Sequence, residues 1–252
     1  MEYFNEINKV YPDWIYDKTL FTKTSNGLSN INYCVQNNTE FSCGPTKVLL
    51  RIYGVNWNPI DYVKTLKITK EGFGAKILHS FKEGRIEEWL EGSDINHSMI
   101  NIPLIIKIAQ ELRRFHDTLH MSHMDLHFKN IILSPDLNKV NFIDFEYSGD
   151  LDREFDIANF FNEWLHDYDS KEWYTCNLNL FPSMTHINLF YEHYNGLDPI
   201  VNIETIFTRF DDVNNYWIEW SKSYPNDDYR LYEYNRRKLL GHDFLNMVKH
   251  NK

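Results

Sequence analysis

Between His123 and Trp164 the chain reads HMDLHFKNIILSPDLNKVNFIDFEYSGDLDREFDIANFFNEW, and this stretch restricts the possible folds more than any other. Two short apolar runs, Ile131 to Leu133 and Val140 to Ile143, are separated by the turn formers Ser134, Pro135, Asp136 and Asn138. That spacing predicts a hairpin. Asp125 and Asn130 come just before it and Asp144 at its end. A hairpin brings its open ends together, so polar side chains far apart in sequence can be aimed at one point.

The flanking patterns differ on the two sides. Upstream, a short helical lead over Met1 to Lys18 gives way to strands around Asn26-Gly27-Leu28-Ser29-Asn30, then the strand Lys47 to Tyr53, a helix over Pro59 to Thr69, and a hairpin from Ala75 to Leu90. Leu104, Ile105, Ile108, Ala109, Leu112 and Phe115 then predict an amphipathic helix over Ile102 to Leu119. Beyond the central hairpin, helices are expected over Phe155 to Trp164, Ile187 to Tyr194, Val201 to Trp220 and Asp228 to Val248. The reading is an α+β fold of two lobes, β-rich over 1–90 and mainly α-helical over 91–252, joined near Trp89 to Ser93.

Composition removes several classes. Aromatic residues make up 16% of the chain and no low-complexity tract or repeat occurs, which argues against disorder. A formal charge of -10 argues against a nucleic-acid partner. Cys34, Cys43 and Cys176 are scattered and form no CxxC, so neither a disulfide framework nor a zinc site is expected. The start MEYFNEINKV has no secretory character and no segment is apolar enough for a membrane span, so a cytoplasmic protein is expected.

His123-Met124-Asp125 followed by Asn130 has the H-x-D-x-x-x-x-N spacing of the kinase catalytic loop, with Asp144 after a strand where kinases place a second magnesium ligand. In that chemistry Asp125 accepts the proton of the attacked hydroxyl, while Asn130 and Asp144 offer hard oxygens to Mg2+ and ATP supplies the phosphoryl group. His123 is expected to brace the loop. The order of these elements makes a protein-kinase-like fold the expectation. Turn and cap roles fit Asp125 and Asp144 taken singly, and Asp156 reads as a helix cap or a polar brace. For Glu163 a buried structural pair and a ligand contact both fit.

Three segments resemble the choline/ethanolamine kinase family: His123 to Asn130, IDFEYSG (Ile143 to Gly149) and FDIANFFNEW (Phe155 to Trp164). The likeness continues in NGLSN, similar to a phosphate-covering loop, and in VLLRIYG, whose Arg51 stands where protein kinases have an ATP-binding lysine. It implies nucleotide contacts at Asn26, Ser29, Asn30, Arg51, Glu88 and Leu90, and an amine pocket of Asp125, Glu163, Tyr168, Trp217, Trp220 and Tyr234. Trp217 and Trp220 are three apart on a predicted helix and could face an alkylammonium, although Ile206, Phe210, Val213 and Trp217 also make a core stripe.

The resemblance implies ATP- and Mg2+-dependent phosphorylation of choline, ethanolamine or both, with a homodimer left open. Met124 departs from the family's Asn, and Asp61 stands near the position of a glutamate that would pair Arg51. An aminoglycoside-type phosphotransferase, a silent amine- or nucleotide-binding module and, more distantly, a metal-dependent hydrolase are the rival readings.

Overall fold

The computed structural model describes residues 3–24, 30–40, 44–54, 57–171, 177–197 and 201–222. The chain divides into two compact units, Met1–Glu91 and Gly92–Lys252. The first unit is built on an antiparallel five-stranded sheet of β1 (Thr19–Lys23), β2 (Asn30–Asn37), β3 (Lys47–Tyr53), β4 (Ile77–Phe81) and β5 (Gly84–Glu88), in the order β1-β2-β3-β5-β4. Val48, Leu50 and Ile52 alternate along β3 and are buried with Val35, Ile86, Ile7 and Trp14. The period of two puts the intervening Leu49, Arg51 and Tyr53 on the opposite face. Ile7 comes from α1 (Phe4–Val10), which stops at Tyr11 before Pro12. The helical lead is therefore shorter than the pattern over Met1 to Lys18 predicts, with only a 3-10 turn following at Tyr16–Lys18. The helix α2 (Pro59–Lys70) starts where the Asn58 side chain accepts from Ile60 N at 3.0 Å.

In the second unit, α3 (Ile102–Leu119) has the bounds its apolar periodicity predicts. The Asn101 side chain accepts from Leu104 N at 3.0 Å to open it, and His120 ends it in the left-handed region at φ 51°. Two small sheets follow. One pairs β7 (Met121–Ser122) with β10 (Gly149–Asp150), and the other runs β6 (Ser93–Asp94), β8 (Ile131–Leu133), β9 (Val140–Phe142). Gly92, at φ 135°, lies so close to the Leu133 carbonyl that a side chain there would collide with it. Asp136 closes the β8–β9 turn by accepting from Ser134 Oγ at 2.6 Å and Asn138 N at 3.1 Å, bonds that hold its carboxyl down at about 2. The helices α4 (Arg153–Glu163), α5 (Met184–Asn195) and α6 (Ile203–Lys222) complete the unit, with α3 packed on α5 and α4 on α6. The helix expected over Asp228 to Val248 lies outside the described residues.

Candidate active site

Strand register explains how the hairpin gathers its polar residues. Ile131 pairs with Phe142 at the open end of β8 and β9, and one step beyond, Ile143 N donates to Asn130 O at 3.0 Å. Asn130 and Asp144 are thus brought to the same end. The Asn130 side chain turns the other way along the loop, its Nδ2 donating to Asp125 O at 2.9 Å and to Asp125 Oδ2 at 3.2 Å. With Nδ2 so used, the amide oxygen remains as a hard donor, and Asp144 offers an exposed carboxylate beside it in sequence register. An amide oxygen and one carboxylate suit Mg2+, which keeps several waters and needs few protein ligands. Among the described residues no group of three or more His, Cys, Asp or Glu side chains could hold a metal by itself.

The loop carrying Asp125 is fixed from below. Asp156, fully buried on α4, accepts from His123 N at 2.5 Å and His116 Nε2 at 2.8 Å on one oxygen, and from Met124 N at 2.6 Å on the other. It is the brace rather than the cap; Asp152 caps α4 by accepting from Phe155 N at 3.0 Å. Met124 is held at φ 70° and Asp144 at φ 65°, left-handed conformations uncommon for non-glycine residues. His123 is buried, its Nδ1 accepting from Asp125 N at 3.3 Å and its Nε2 donating to Ile143 O at 2.9 Å. Burial pushes its pKa down, against the opposing pull of Asp156, so it is a neutral strut between the loop and the end of β9.

A second set of side chains adjoins this loop. His127 Nε2 lies 3.7 Å from Asp125 Oδ2, and its ring stacks on Tyr168 with centroids 5.0 Å apart. The Tyr168 hydroxyl donates in a very short hydrogen bond to Glu163, which is buried at the end of α4. Asp125, Glu163 and Tyr168 are therefore linked through His127. On α6, Trp217 is 4% exposed and donates from Nε1 to Asn159 Oδ1 at 3.0 Å, while Asn159 Nδ2 donates to Leu126 O at 3.3 Å. Trp217 is packed in the core as its helical stripe predicts, and its one polar atom is tied through Asn159 to the loop that follows Asp125. Trp217, Trp220 and Tyr147 form a cluster of edge-on rings, at centroid distances of 5.1, 5.8 and 5.4 Å.

In the first unit, Arg51 Nε donates to Glu87 Oε1 at 2.8 Å, a carboxylate from the neighbouring strand, and Asp61 pairs with Lys64 at 3.4 Å. Asn30 accepts from Gly54 N at 3.2 Å at the start of β2. Glu88 ends β5, its N–H donating to Lys76 O at 2.9 Å, and Leu90 is half-buried two residues on. Asn26, Ser29 and Tyr234 lie outside the described residues. Sequence reasoning missed His127, Tyr147, Asn159 and Glu87. His127 and Tyr147 could have been found as neighbours of Asp125 and Asp144 in sequence; Asn159 and Glu87 needed the three-dimensional register.

Comparison with known proteins places these observations. The profile of the family described as Choline/ethanolamine kinase matches residues 21–121 and 117–219. A probable ethanolamine kinase of Arabidopsis thaliana is 24% identical, the match covering 81% of this chain and 73% of that protein. A choline/ethanolamine kinase of Rattus norvegicus is 26% identical over 68% of this chain, which spans 61% of that relative's length. Among solved structures, a choline kinase from Cryptosporidium parvum superposes with a TM-score of 0.83 at 16% identity, covering 99% of this chain and 97% of that one. The structural likeness shows the protein-kinase-like two-lobe α+β fold.

Proposed function

The chain belongs to the choline/ethanolamine kinase family, and from that premise we propose that it transfers the γ-phosphoryl group of ATP to the hydroxyl of choline, ethanolamine or both. The observation that carries the reading is the tie from Asn130 to Asp125, at 2.9 and 3.2 Å, at the hairpin end that also bears Asp144. The hydroxyl oxygen attacks the γ phosphorus, the bond to the β-phosphate oxygen breaks, and ADP leaves. Asp125 orients the hydroxyl and takes its proton. Asn130 and Asp144 would hold Mg2+, which when bound neutralises charge on the phosphates.

The first unit is the proposed nucleotide-binding part, with Arg51 for the phosphates and the end of β5 at Glu88 and Leu90 for the base; Asn26, Ser29 and Asn30 would cover the phosphates. In the second unit Glu163 and Tyr168 offer a carboxylate and an aromatic face to the ammonium, and Trp217 and Trp220 add aromatic rings, with Tyr234 assigned to the same role by the family resemblance alone. Both a quaternary and a primary ammonium fit these groups. Among the described residues no helix is long and apolar enough to cross a membrane. The substrates being small and water-soluble, we assign the activity to the cytoplasm.

The test is a coupled ADP-release assay with ATP, Mg2+ and each amine, and phosphorus NMR to identify the product. Wild type should form a phosphoamine, and Asp125→Asn should lower kcat by about 100-fold or more. Turnover of neither amine by wild type would remove the reading.

A further inference from the structure

Just after Asp125 in the second unit, His127 turns its two ring nitrogens toward different partners. Nδ1 accepts from Lys129 N at 3.2 Å and caps the short 3-10 turn Phe128–Asn130. Nε2 lies 3.7 Å from Asp125 Oδ2, the two side chains being 16% and 19% exposed. An accepting Nδ1 selects the tautomer: the ring proton sits on Nε2 and faces the carboxylate. A ring protonated on both nitrogens would set Nδ1–H against the Lys129 N–H. At 3.7 Å the contact is electrostatic rather than a formed hydrogen bond, and contacts of this kind tighten when the reacting complex closes.

The same carboxylate oxygen accepts from Asn130 Nδ2 at 3.2 Å, so donors approach Oδ2 from both ends of the turn. Holding a carboxylate by one oxygen fixes the direction of the other, which is what a base aimed at a bound hydroxyl requires. The ring face of His127 has its own neighbour. It stacks on Tyr168 with centroids 5.0 Å and planes 24° apart, and the Tyr168 hydroxyl donates to the buried Glu163. Lys129 pins the segment that carries Tyr168 a second time, its Nζ lying 2.6 Å from Asp169 Oδ1 and 2.9 Å from Asp94 Oδ2. Lys129 thus holds the segment, and His127 joins its aromatic ring to Asp125.

We propose that His127 is a positioning residue with two separable duties: its Nε2–H sets Asp125 against the acceptor hydroxyl, and its ring sets Tyr168 against the ammonium. One rigid imidazole then spans the place where the proton is taken and the place where the charge rests. The inference rests on Asp125 as the proposed base and on Glu163 and Tyr168 as the proposed ammonium site.

Three variants separate the duties. His127→Phe keeps a ring and loses the donor. His127→Gln keeps an N–H donor as many bonds from Cβ and loses the ring. His127→Asn keeps an acceptor for Lys129 N and loses both. In the coupled assay at saturating ATP and Mg2+, His127→Phe should lower kcat by about 10- to 100-fold with the amine KM within about threefold of wild type. His127→Gln should raise the amine KM by about 3- to 10-fold and keep a kcat at least about fivefold above that of the Phe variant. His127→Asn should show both losses. A capping role alone would leave the Asn variant like wild type and make Phe and Gln alike; either result overturns the proposal, as does a wild-type kcat in the Phe variant. Should the Phe variant not fold, the Asn variant becomes the reference, and a Gln kcat no higher than that of Asn overturns the proposal. Nitrogen NMR of the histidine side chains in wild type and Asp125→Asn reads the ring proton with no amine present. A proton on Nε2 whose resonance shifts in Asp125→Asn supports the contact, and a proton on Nδ1 overturns it. If wild type phosphorylates neither amine, the acceptor assignment falls while the NMR result still decides the contact with Asp125.

Discussion

Asp156→Asn isolates what holds the Asp125 loop in its working shape. The carboxylate serves three donors, the buried His116 Nε2 and His123 N and the half-buried Met124 N. An asparagine has one accepting oxygen, so its best orientation keeps His116 and His123 and turns an NH2 group toward Met124 N. The two retained bonds lose charge assistance, about 0.5–1.5 kcal/mol each, and a buried N–H without a partner costs about 1–3 kcal/mol. The expected loss is about 2–6 kcal/mol, or a Tm lower by roughly 4–24 °C in a unit of this size. Met124 also loses the bond that keeps it at φ 70°, and its relaxation swings Asp125 out of line. Calorimetry, hydrogen exchange of the His123 and Met124 amides, and kcat at saturating substrates should therefore change together. A variant that melts within about 2 °C of wild type with both amides still protected would refute the reasoning.

Two other perturbations have directional outcomes. Glu163→Gln removes the carboxylate that Tyr168 bonds and should raise KM for the amine by about 10- to 100-fold with the ATP KM within about twofold; steady-state kinetics with each substrate varied will show whether the two constants separate. Tyr194, buried beneath α3 with its hydroxyl on His116 Nδ1 at 2.6 Å and Arg153 at 3.0 Å, has its pKa raised by burial to about 12, the nearby Arg153 opposing. A raised folded value means that the unfolded chain loses this proton first. The contribution to stability is therefore complete below pH 10 and is lost as pH climbs through about 12. Tyr194→Phe should flatten that alkaline loss in urea titrations, and an equal slope in both proteins would count against the assignment.

What could be read in the sequence was what depends on near neighbours. The extent of α3 was legible because its apolar spacing repeats within one or two turns, while the Asn101 cap and the left-handed His120 that close its ends are seen in the structure. Asp125 and Asn130 were legible because one loop carries both. The contact of Arg51 with Glu87 was not: the sequence left a pair with Asp61 open, and only the strand register brings Glu87, two residues diagonal to Arg51 on β5, against it. Trp217 shows why a periodic stripe and a pocket wall could not be told apart. Burial fixes its ring among Tyr147 and Trp220, while its one polar atom reaches Asn159, and periodicity carries no information about that atom. The helical lead stops well short of Lys18 because Pro12 cannot continue the backbone ladder, a limit that apolar spacing does not carry.

Asp144, held at φ 65° with its carboxylate exposed, has an evolutionary consequence. The left-handed backbone there suits glycine better than any residue with a Cβ, so Asp144→Gly relieves strain and takes no apolar surface out of the core. The fold does not call for the acid at this position, and on the proposed reading the chemistry does. In a lineage released from catalysis this carboxylate is free to drift, and the first visible mark of a gene copy turning into a non-catalytic scaffold would be an aspartate lost from an intact, undiminished fold.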